Sequence, residues 1–500
     1  MHADGPPPLD LRPGDLGPPL ERTRLGRMST PVVTVAYLET PMILDRSRTI
    51  APPGFNRWLV PPAALAVHLS IGQVYAFSVI KEPLIERFFP ETGVGTPIAV
   101  IFSIAIVMLG LSAAFGGVWM ERNGPRKAMV LAATFWVTGF LVAALGVQLG
   151  QLWLVYLGYG VIGGMGLGIG YISPVSTLIK WFPDRPGLAT GLAIMGFGGG
   201  ALVAAPLTQR LLDAYAAEPV DALVPTLLTL AAVYAVLMLA GASVIRLPAP
   251  GWAPPGWTPK VTADVMRTNA DVRVRNAVRT PQFYLLWVVL FVNVTAGIGI
   301  LEDAKPMIMD FFPDNVTEAT ATGFVGLLAL ANMSGRLGWS SLSDAIGRRR
   351  TYVMYLGVGA VLYSVLALAG DSATALFVTL TFVIVSFYGG GFATVPAYLK
   401  DLFGKLEVGA IHGRLLTAWS AAGVAGPLIV NSIVDGRREA GLDGATLYIP
   451  SMVVMACLLV LGFVANMLVR PVDAKHHETE PTTAPADPSR ALAGAGVKES

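Results

Sequence analysis

One cysteine, Cys457, stands in 500 residues. A lone thiol in an apolar run excludes a disulfide framework and a Cys-based metal site within one chain. Charge is sparse too, at 14% Asp, Glu, Lys and Arg with a formal net charge of +2, so no basic excess suggests nucleic acid. The five histidines are His2, His68, His412, His476 and His477. They lack metal-ligand spacing apart from the pair His476–His477, which reads as part of a solvated tail. Neither a metal nor a cofactor is expected. The first 55 residues hold no continuous apolar segment followed by a small-residue cleavage site, so no signal peptide is read. Residues 1–55 and 471–500 are expected to be disordered cytoplasmic tails, with residues 1–27, ahead of Met28, an overextended start or a dispensable extension.

What is abundant is apolar sequence. Hydrophobic residues make up 54% of the chain and the mean hydropathy is +0.61, far from the range of a soluble protein. A window of about 20 apolar residues places spans near 58–80, 97–119, 128–148, 152–178, 187–209 and 223–245, then near 283–301, 320–341, 351–370, 373–398, 409–430 and 446–468. The expected architecture is therefore all-α: a bundle of six helices over 56–245, a connecting loop over 246–282, and a second bundle over 283–470. One set of loops carries Arg122, Arg126, Lys127, Lys180, Arg185, Arg246, Arg348, Arg349 and Arg350, while the opposite set is poor in Lys and Arg. That bias places both termini and the middle loop in the cytoplasm, with the protein spanning the plasma (cytoplasmic) membrane many times.

The halves repeat. GGVWMERNGPRK (Gly116 to Lys127) and GWSSLSDAIGRR (Gly338 to Arg349) both follow the second helix of their half. Glu121 answers to Asp344 and Gly124 to Gly347 at one common offset. GYISPVSTLIKWF (Gly170 to Phe182) likewise lies over GFATVPAYLKDLF (Gly391 to Phe403). In such a turn glycine permits the reversal, the acid can pair with a base or sit at a neighbouring helix N-terminus, and the basic cluster stays in water. Gly117, Glu121, Arg122, Gly124, Arg126 and Lys127, with Asp344, Gly347, Arg348 and Arg349, are the candidate switch-loop residues.

On these turns the chain resembles the major facilitator superfamily, a fold of twelve transmembrane helices in two pseudo-symmetric six-helix bundles. RWLVPPAALAVHLSIGQVYAFSVI (Arg57 to Ile80), KWFPDRPGLATGLAIMGFGGGAL (Lys180 to Leu202), FYLLWVVLFVNVTAGIGIL (Phe283 to Leu301) and HGRLLTAWSAAGVAGP (His412 to Pro427) are similar to its oxalate/formate antiporter family, over about residues 57 to 470. The resemblance implies a secondary active transporter of small carboxylates working by alternating access, as proton symport or anion exchange, with the bilayer, the substrate and a proton or counter-anion as its partners. A monomer suffices for that mechanism.

Arg336 stands mid-helix, about four turns before the basic cluster. A buried arginine is costly and turns to a cavity or a partner, and guanidinium geometry suits a carboxylate. The resemblance implies that the arginine of the eighth helix holds the substrate; a purely structural alternative braces Arg336 on Asn332 or on a carbonyl. The family's second cation, a lysine on the eleventh helix, is missing here, with Trp419 at or near its place, which favours a monocarboxylate such as formate, pyruvate or lactate over a dianion. Further substrate-contact candidates are Gln73 and Tyr75 on the first helix, Tyr171 on the fourth, Asn293 on the seventh, and Tyr388 with Phe392 on the tenth. His412 and Arg414 fall near the cytoplasmic end and are set aside. His68, Glu302 and Asp303 are candidates for proton coupling.

GGMGLGIG (Gly163 to Gly170) follows no strand and lies inside an apolar helix, so it reads as close helix packing and not as a dinucleotide loop. No GxxxxGK[ST] stretch supports ATP-driven transport. An exporter of larger amphipathic compounds is the rival within transport. A membrane enzyme or receptor is disfavoured by the missing nucleophile and ligand clusters and by the absence of a sizeable soluble domain.

Overall fold

The structure, a computed structural model, describes residues 43–92, 95–216, 218–258, 268 and 270–478. Among them, twelve long helices account for the expected spans. The first six are α1 (Arg57–Phe88), α2 (Thr96–Asn123), α3 (Pro125–Leu149), α4 (Leu152–Trp181), α5 (Pro186–Tyr215) and α6 (Val220–Val244). The second six are α7 (Pro281–Glu302), α8 (Glu318–Ile346), α9 (Arg348–Ala369), α10 (Thr374–Phe403), α11 (Val408–Glu439) and α12 (Ile449–Leu468). Eleven are long and apolar enough to cross a membrane by composition alone; α8, which carries Arg336, is not among them.

The helices α1 to α6 pack chiefly on one another, α3 against α6 and α4, α2 against α4, and α1 against α5 and α6. In the second half α8 packs on α10, and α7 on α11 and α12. The repeat seen in sequence is a repeat of backbone: Gly124 ends α2 at φ 90° and Gly347 ends α8 at φ 89°. Both conformations favour a residue without a Cβ, and each hands the chain directly to the next helix. The side of the molecule bearing these two reversals is the turn face.

The glycines of α4 explain how tightly the first bundle closes. A Cβ on Gly168 would collide with the Leu109 carbonyl of α2, and one on Gly166 would come within 2.7 Å of the Trp136 backbone nitrogen of α3. Alternate glycines thus seat α4 into two neighbours, the small-residue packing expected of a membrane bundle. The helix also contains a π-helical stretch, Tyr156–Gly163.

Between the halves the close packing lies toward the turn face. There α5 meets α8, α2 meets α11, and α4 and α5 meet α10. On the opposite side the outer half of α1, Phe77–Phe88, and a short helix, Ala304–Phe311, pack within their own halves. The molecule is therefore closed at the turn face.

Segments at the edges of the tails are held in place. Thr49 and Ala51 exchange backbone hydrogen bonds with Leu247, and Arg126 donates to the Ile43 and Arg48 carbonyls, fixing residues 43–51 across the first turn. At the other end Glu478 bonds Asp271 through its backbone and Arg273 through its carboxylate at 2.9 Å, so residues 471–478 dock on the end of the middle loop. Composition assigned both stretches to the tails because they are polar and Pro-rich; backbone and ion pairing hold them instead. Residues 1–42 and 479–500 lie outside the described residues.

Gly168→Val is expected to force α4 off α2. Overpacking of this kind costs about 1–3 kcal/mol, and a fall of several degrees in the thermal midpoint of detergent-purified protein, read by fluorescence-detected gel filtration, is the outcome to look for.

Candidate functional site

Arg336 is fully buried. Two glycines bring α8 against α10: a Cβ at Gly335 would strike the Ser386 carbonyl, and one at Gly389 the Asn332 carbonyl. A third, Gly198 of α5, leaves the room that the guanidinium occupies, since a Cβ there would overlap the Arg336 side chain. Nε of Arg336 donates to Asn332 Oδ1 at 2.9 Å, and Nη1 donates to the Ile194 carbonyl of α5 at 3.4 Å. Both bracing contacts considered from sequence are thus present, yet Nη2 has no hydrogen-bond partner. No carboxylate pairs with Arg336 among the described residues.

Aromatic rings surround that free nitrogen. The guanidinium carbon lies 5.0 Å from the Phe392 ring, 5.9 Å from Phe197 and 6.0 Å from Tyr388, distances at which ring faces attract a cation. Phe392 also meets Trp419 at 5.0 Å and Tyr171 at 5.6 Å, and Phe197 meets Tyr75 at 5.1 Å. Tyr75 and Tyr388 bring their hydroxyls within 3.5 Å of each other across the two halves. The Tyr171 hydroxyl and Trp419 Nε1 are buried without partners. One cation and two unused neutral donors therefore converge among apolar ring faces, a set of groups suited to one small anion with an apolar body.

Six of the eight substrate-contact candidates are brought together here: Arg336, Tyr75, Tyr171, Tyr388, Phe392 and Trp419. The other two are not. Gln73 accepts from Tyr159 at 3.0 Å inside the first bundle, where Tyr159 packs on Phe77, Trp136 and Phe140. It sits in a 3₁₀ stretch, Gly72–Ala76, whose rotation of about 120° per residue turns it well away from Tyr75. Asn293 lines a small void in the second bundle with Gly297, Tyr355, Tyr363 and Tyr388, and packs on Gly391.

At the turn face two acids join the halves. Asp344 of α8 accepts from the Gly187 and Leu188 backbone nitrogens at 2.8 and 2.9 Å, at the start of α5, and is held by Arg348 at 2.5 Å. Glu121 of α2 accepts from the Gly409 nitrogen at 3.2 Å, at the start of α11, and is held by Lys180 and by Ser176 at 2.7 Å. Each acid thus caps a helix N-terminus of the other bundle, where free N–H groups and the helix dipole favour negative charge. Gly117 lets α2 approach Ala410, at 2.7 Å from a Cβ built there to the Ala410 Cα. Lys127 reaches Asn123 at 3.3 Å, Arg349 reaches the Met467 carbonyl at 2.5 Å, and Arg122 is exposed.

The model of the major facilitator superfamily matches residues 55–427 and 306–496. The chain belongs to this superfamily. Among relatives of this facilitator, the oxalate:formate antiporter of Oxalobacter formigenes is 25% identical over 378 residues, covering 74% of this chain and 83% of that protein. The apicoplast pyruvate carrier 1 of Toxoplasma gondii is 27% identical over 380 residues, 66% of this chain and 68% of that one. Among solved structures, the E. coli fucose:proton symporter superposes with a TM-score of 0.60 at 15% identity, over 82% of this chain and 99% of its own. The human organic anion transporter MFSD10 gives 0.57 at 16% identity, over 83% and 100%. These likenesses to solved structures support the fold; the superfamily makes the chain a membrane transporter.

The coupling candidates of this facilitator lie in two places. His68 touches the cage from behind: its ring stacks on Tyr171 at 5.2 Å, with Nδ1 2.5 Å from the Ala193 carbonyl and Nε2 3.1 Å from the Tyr171 carbonyl. Glu302 and Asp303 sit at the end of α7 away from the turn face. Burial first, and Asp435 nearby, push the Asp303 carboxyl up to about 6, with Arg438 opposing. Phe197, which also lies on the cage, and His412, which borders it through Tyr171, are not among the substrate-contact candidates read from sequence. Phe197 reads there as one more aromatic in an apolar run, and only the flanking glycines of GFGGG hint at close approach.

The Asp303 shift has a signed consequence. A carboxyl whose pKa is raised on folding loses stability as pH climbs past its unfolded value of 3.8, and the loss is complete above about 6. Asp303→Asn, uncharged throughout, is expected to melt closest to wild type at pH 4 and to gain on it up to pH 7.5, as read by thermal shift.

Proposed function

We propose that this facilitator is a secondary active transporter of a small monocarboxylate, with Arg336 holding the carboxylate between the bundles. The observation that carries the reading is the fully buried guanidinium with one nitrogen unspent inside an aromatic cage. A charge without a counter-ion in such a place is costly, and an anion that supplies two oxygens offsets that cost. The relatives' names agree in kind, an oxalate:formate antiporter and a pyruvate carrier. A single cage cation favours formate, pyruvate or lactate over a dianion, and the rings give an apolar substituent a surface.

Alternating access follows from the two latches. Glu121 and Asp344 fasten the turn face in this state, and that face opens when their caps on α11 and α5 are released. A bound carboxylate neutralises the guanidinium and makes a state closed on both sides less costly, so the loaded carrier crosses more readily than the empty one. The Lys and Arg bias supports a cytoplasmic turn face, the plasma membrane is the proposed location, and a single chain carries the residues of the cage. Proton symport and anion exchange are both compatible with it.

Purified protein in liposomes is expected to take up labelled formate, pyruvate or lactate saturably, and a pH gradient separates symport from exchange. Arg336→Gln should lower uptake about 100-fold or more, in line with the cost of truncating a buried charge pair, while Arg336→Lys, which keeps charge but loses the fork, falls between. Uptake indifferent to Arg336 makes the arginine a brace. Silence toward all these anions, with transport of a larger amphipathic compound, puts the exporter reading in its place.

A further inference from the structure

His412 is buried to 1% exposure, and neither ring nitrogen has a hydrogen-bond partner. Natural proteins seldom bury a polar group unsatisfied without a functional reason. Its place explains where a partner comes from. His412 is four residues into α11 from Val408, about 6 Å, whereas Trp419 is about 16 Å in. Arg336, likewise about 16 Å from the end of α8 at Gly347, lies level with Trp419. His412 is therefore some 10 Å closer to the turn face than the cage centre by the same rise.

The imidazole also lies on a seam that must part. Its neighbours on α11 are the ones that press on the first bundle: Gly413, where a Cβ would strike the Ala113 carbonyl, and Gly409, whose nitrogen is capped by Glu121. The His412 ring lies 5.8 Å from Tyr171, whose unpartnered hydroxyl and ring belong to the cage. A continuous row therefore runs from Arg336 to Phe392, to Tyr171, to His412. Besides Arg336, two of its members, Tyr171 and His412, offer buried polar atoms that nothing in the closed state uses.

Resting on the carboxylate reading above, we propose that His412, with the Tyr171 hydroxyl, forms a second carboxylate-binding station on the turn-face side of Arg336, used when that face is open. Anions arriving from the turn face pass from imidazole and hydroxyl to guanidinium, and those leaving to it pass the other way. Anions reaching Arg336 from the opposite side do not meet it. The station is thus asymmetric, and the asymmetry is its signature.

Uptake of labelled formate, pyruvate and lactate is measured in right-side-out and in inverted membrane vesicles from cells expressing the full chain, for wild type, His412→Phe, His412→Gln and Tyr171→Phe. The expected result is a half-saturation concentration raised about fivefold or more for His412→Phe at the turn face alone, the scale of one lost hydrogen bond. His412→Gln, which keeps a donor and an acceptor, recovers most of it. Tyr171→Phe, which also takes a donor from the cage, raises the half-saturation concentration at both faces and further at the turn face, and guards against a His412→Phe protein that does not fold. Equal shifts at both faces, or none at either, overturn the station. Saturable wild-type uptake of no tested monocarboxylate removes the carboxylate reading and the station with it, whereas wild-type uptake with symmetric variants removes the station only.

Discussion

A guanidinium kept from water without a carboxylate beside it is the constraint on which the rest of this molecule depends. Arg336 could be silenced by a single acid beside it on α5 or α10, but the acids of those helices, Asp213 and Asp401, stand near their ends; around the guanidinium are Asn332, one carbonyl and ring faces. Those contacts orient the group without neutralising it. The glycines at 198, 335 and 389 are consequences, since each makes room for the arginine or for the close helix approach that walls it in.

The latches obey the same economy of charge. Glu121 and Asp344 each sit on the N-terminus of a helix from the other half, so closing the turn face converts free backbone N–H groups into charge-assisted bonds. Their supports differ: Glu121 leans on Lys180, whereas Asp344 leans on Arg348, which is itself held by Asp401 at 3.2 Å. Lys180 and Asp401 occupy matching places in the repeat and carry opposite charge. The two halves thus share a backbone device while dividing its electrostatics unequally.

Much of the fold was legible in the sequence because hydropathy and the paired turns act locally: the span limits fall close to the helices, and Gly124 and Gly347 have nearly one backbone conformation. Arg336 and the rings at 171, 388, 392 and 419 were legible because charge or aromatic bulk in an apolar run must face something. Gln73 misled because a 3₁₀ stretch within α1 changes the facing from one residue to the next. Asn293 misled because facing the bundle interior is not the same as facing the seam. His412 reads from sequence only as a residue near the cytoplasmic end of its helix, whereas the α2–α11 packing buries it. The docked edges of the tails depend on partners hundreds of residues away, which composition does not reveal.

Trp419, packed on Phe392 with its Nε1 free, is a built-in reporter for the cage. The most direct measurement is equilibrium binding to detergent-purified protein, by calorimetry and by tryptophan fluorescence against a Trp419→Phe control, of a monocarboxylate and of its neutral amide, pyruvate against pyruvamide. The account predicts saturable binding of the acid, a fluorescence change that the control lacks, and no detectable binding of the amide, because only the acid meets the unspent charge of Arg336. Equal binding of acid and amide, or binding of the acid that survives in Arg336→Gln, would contradict it.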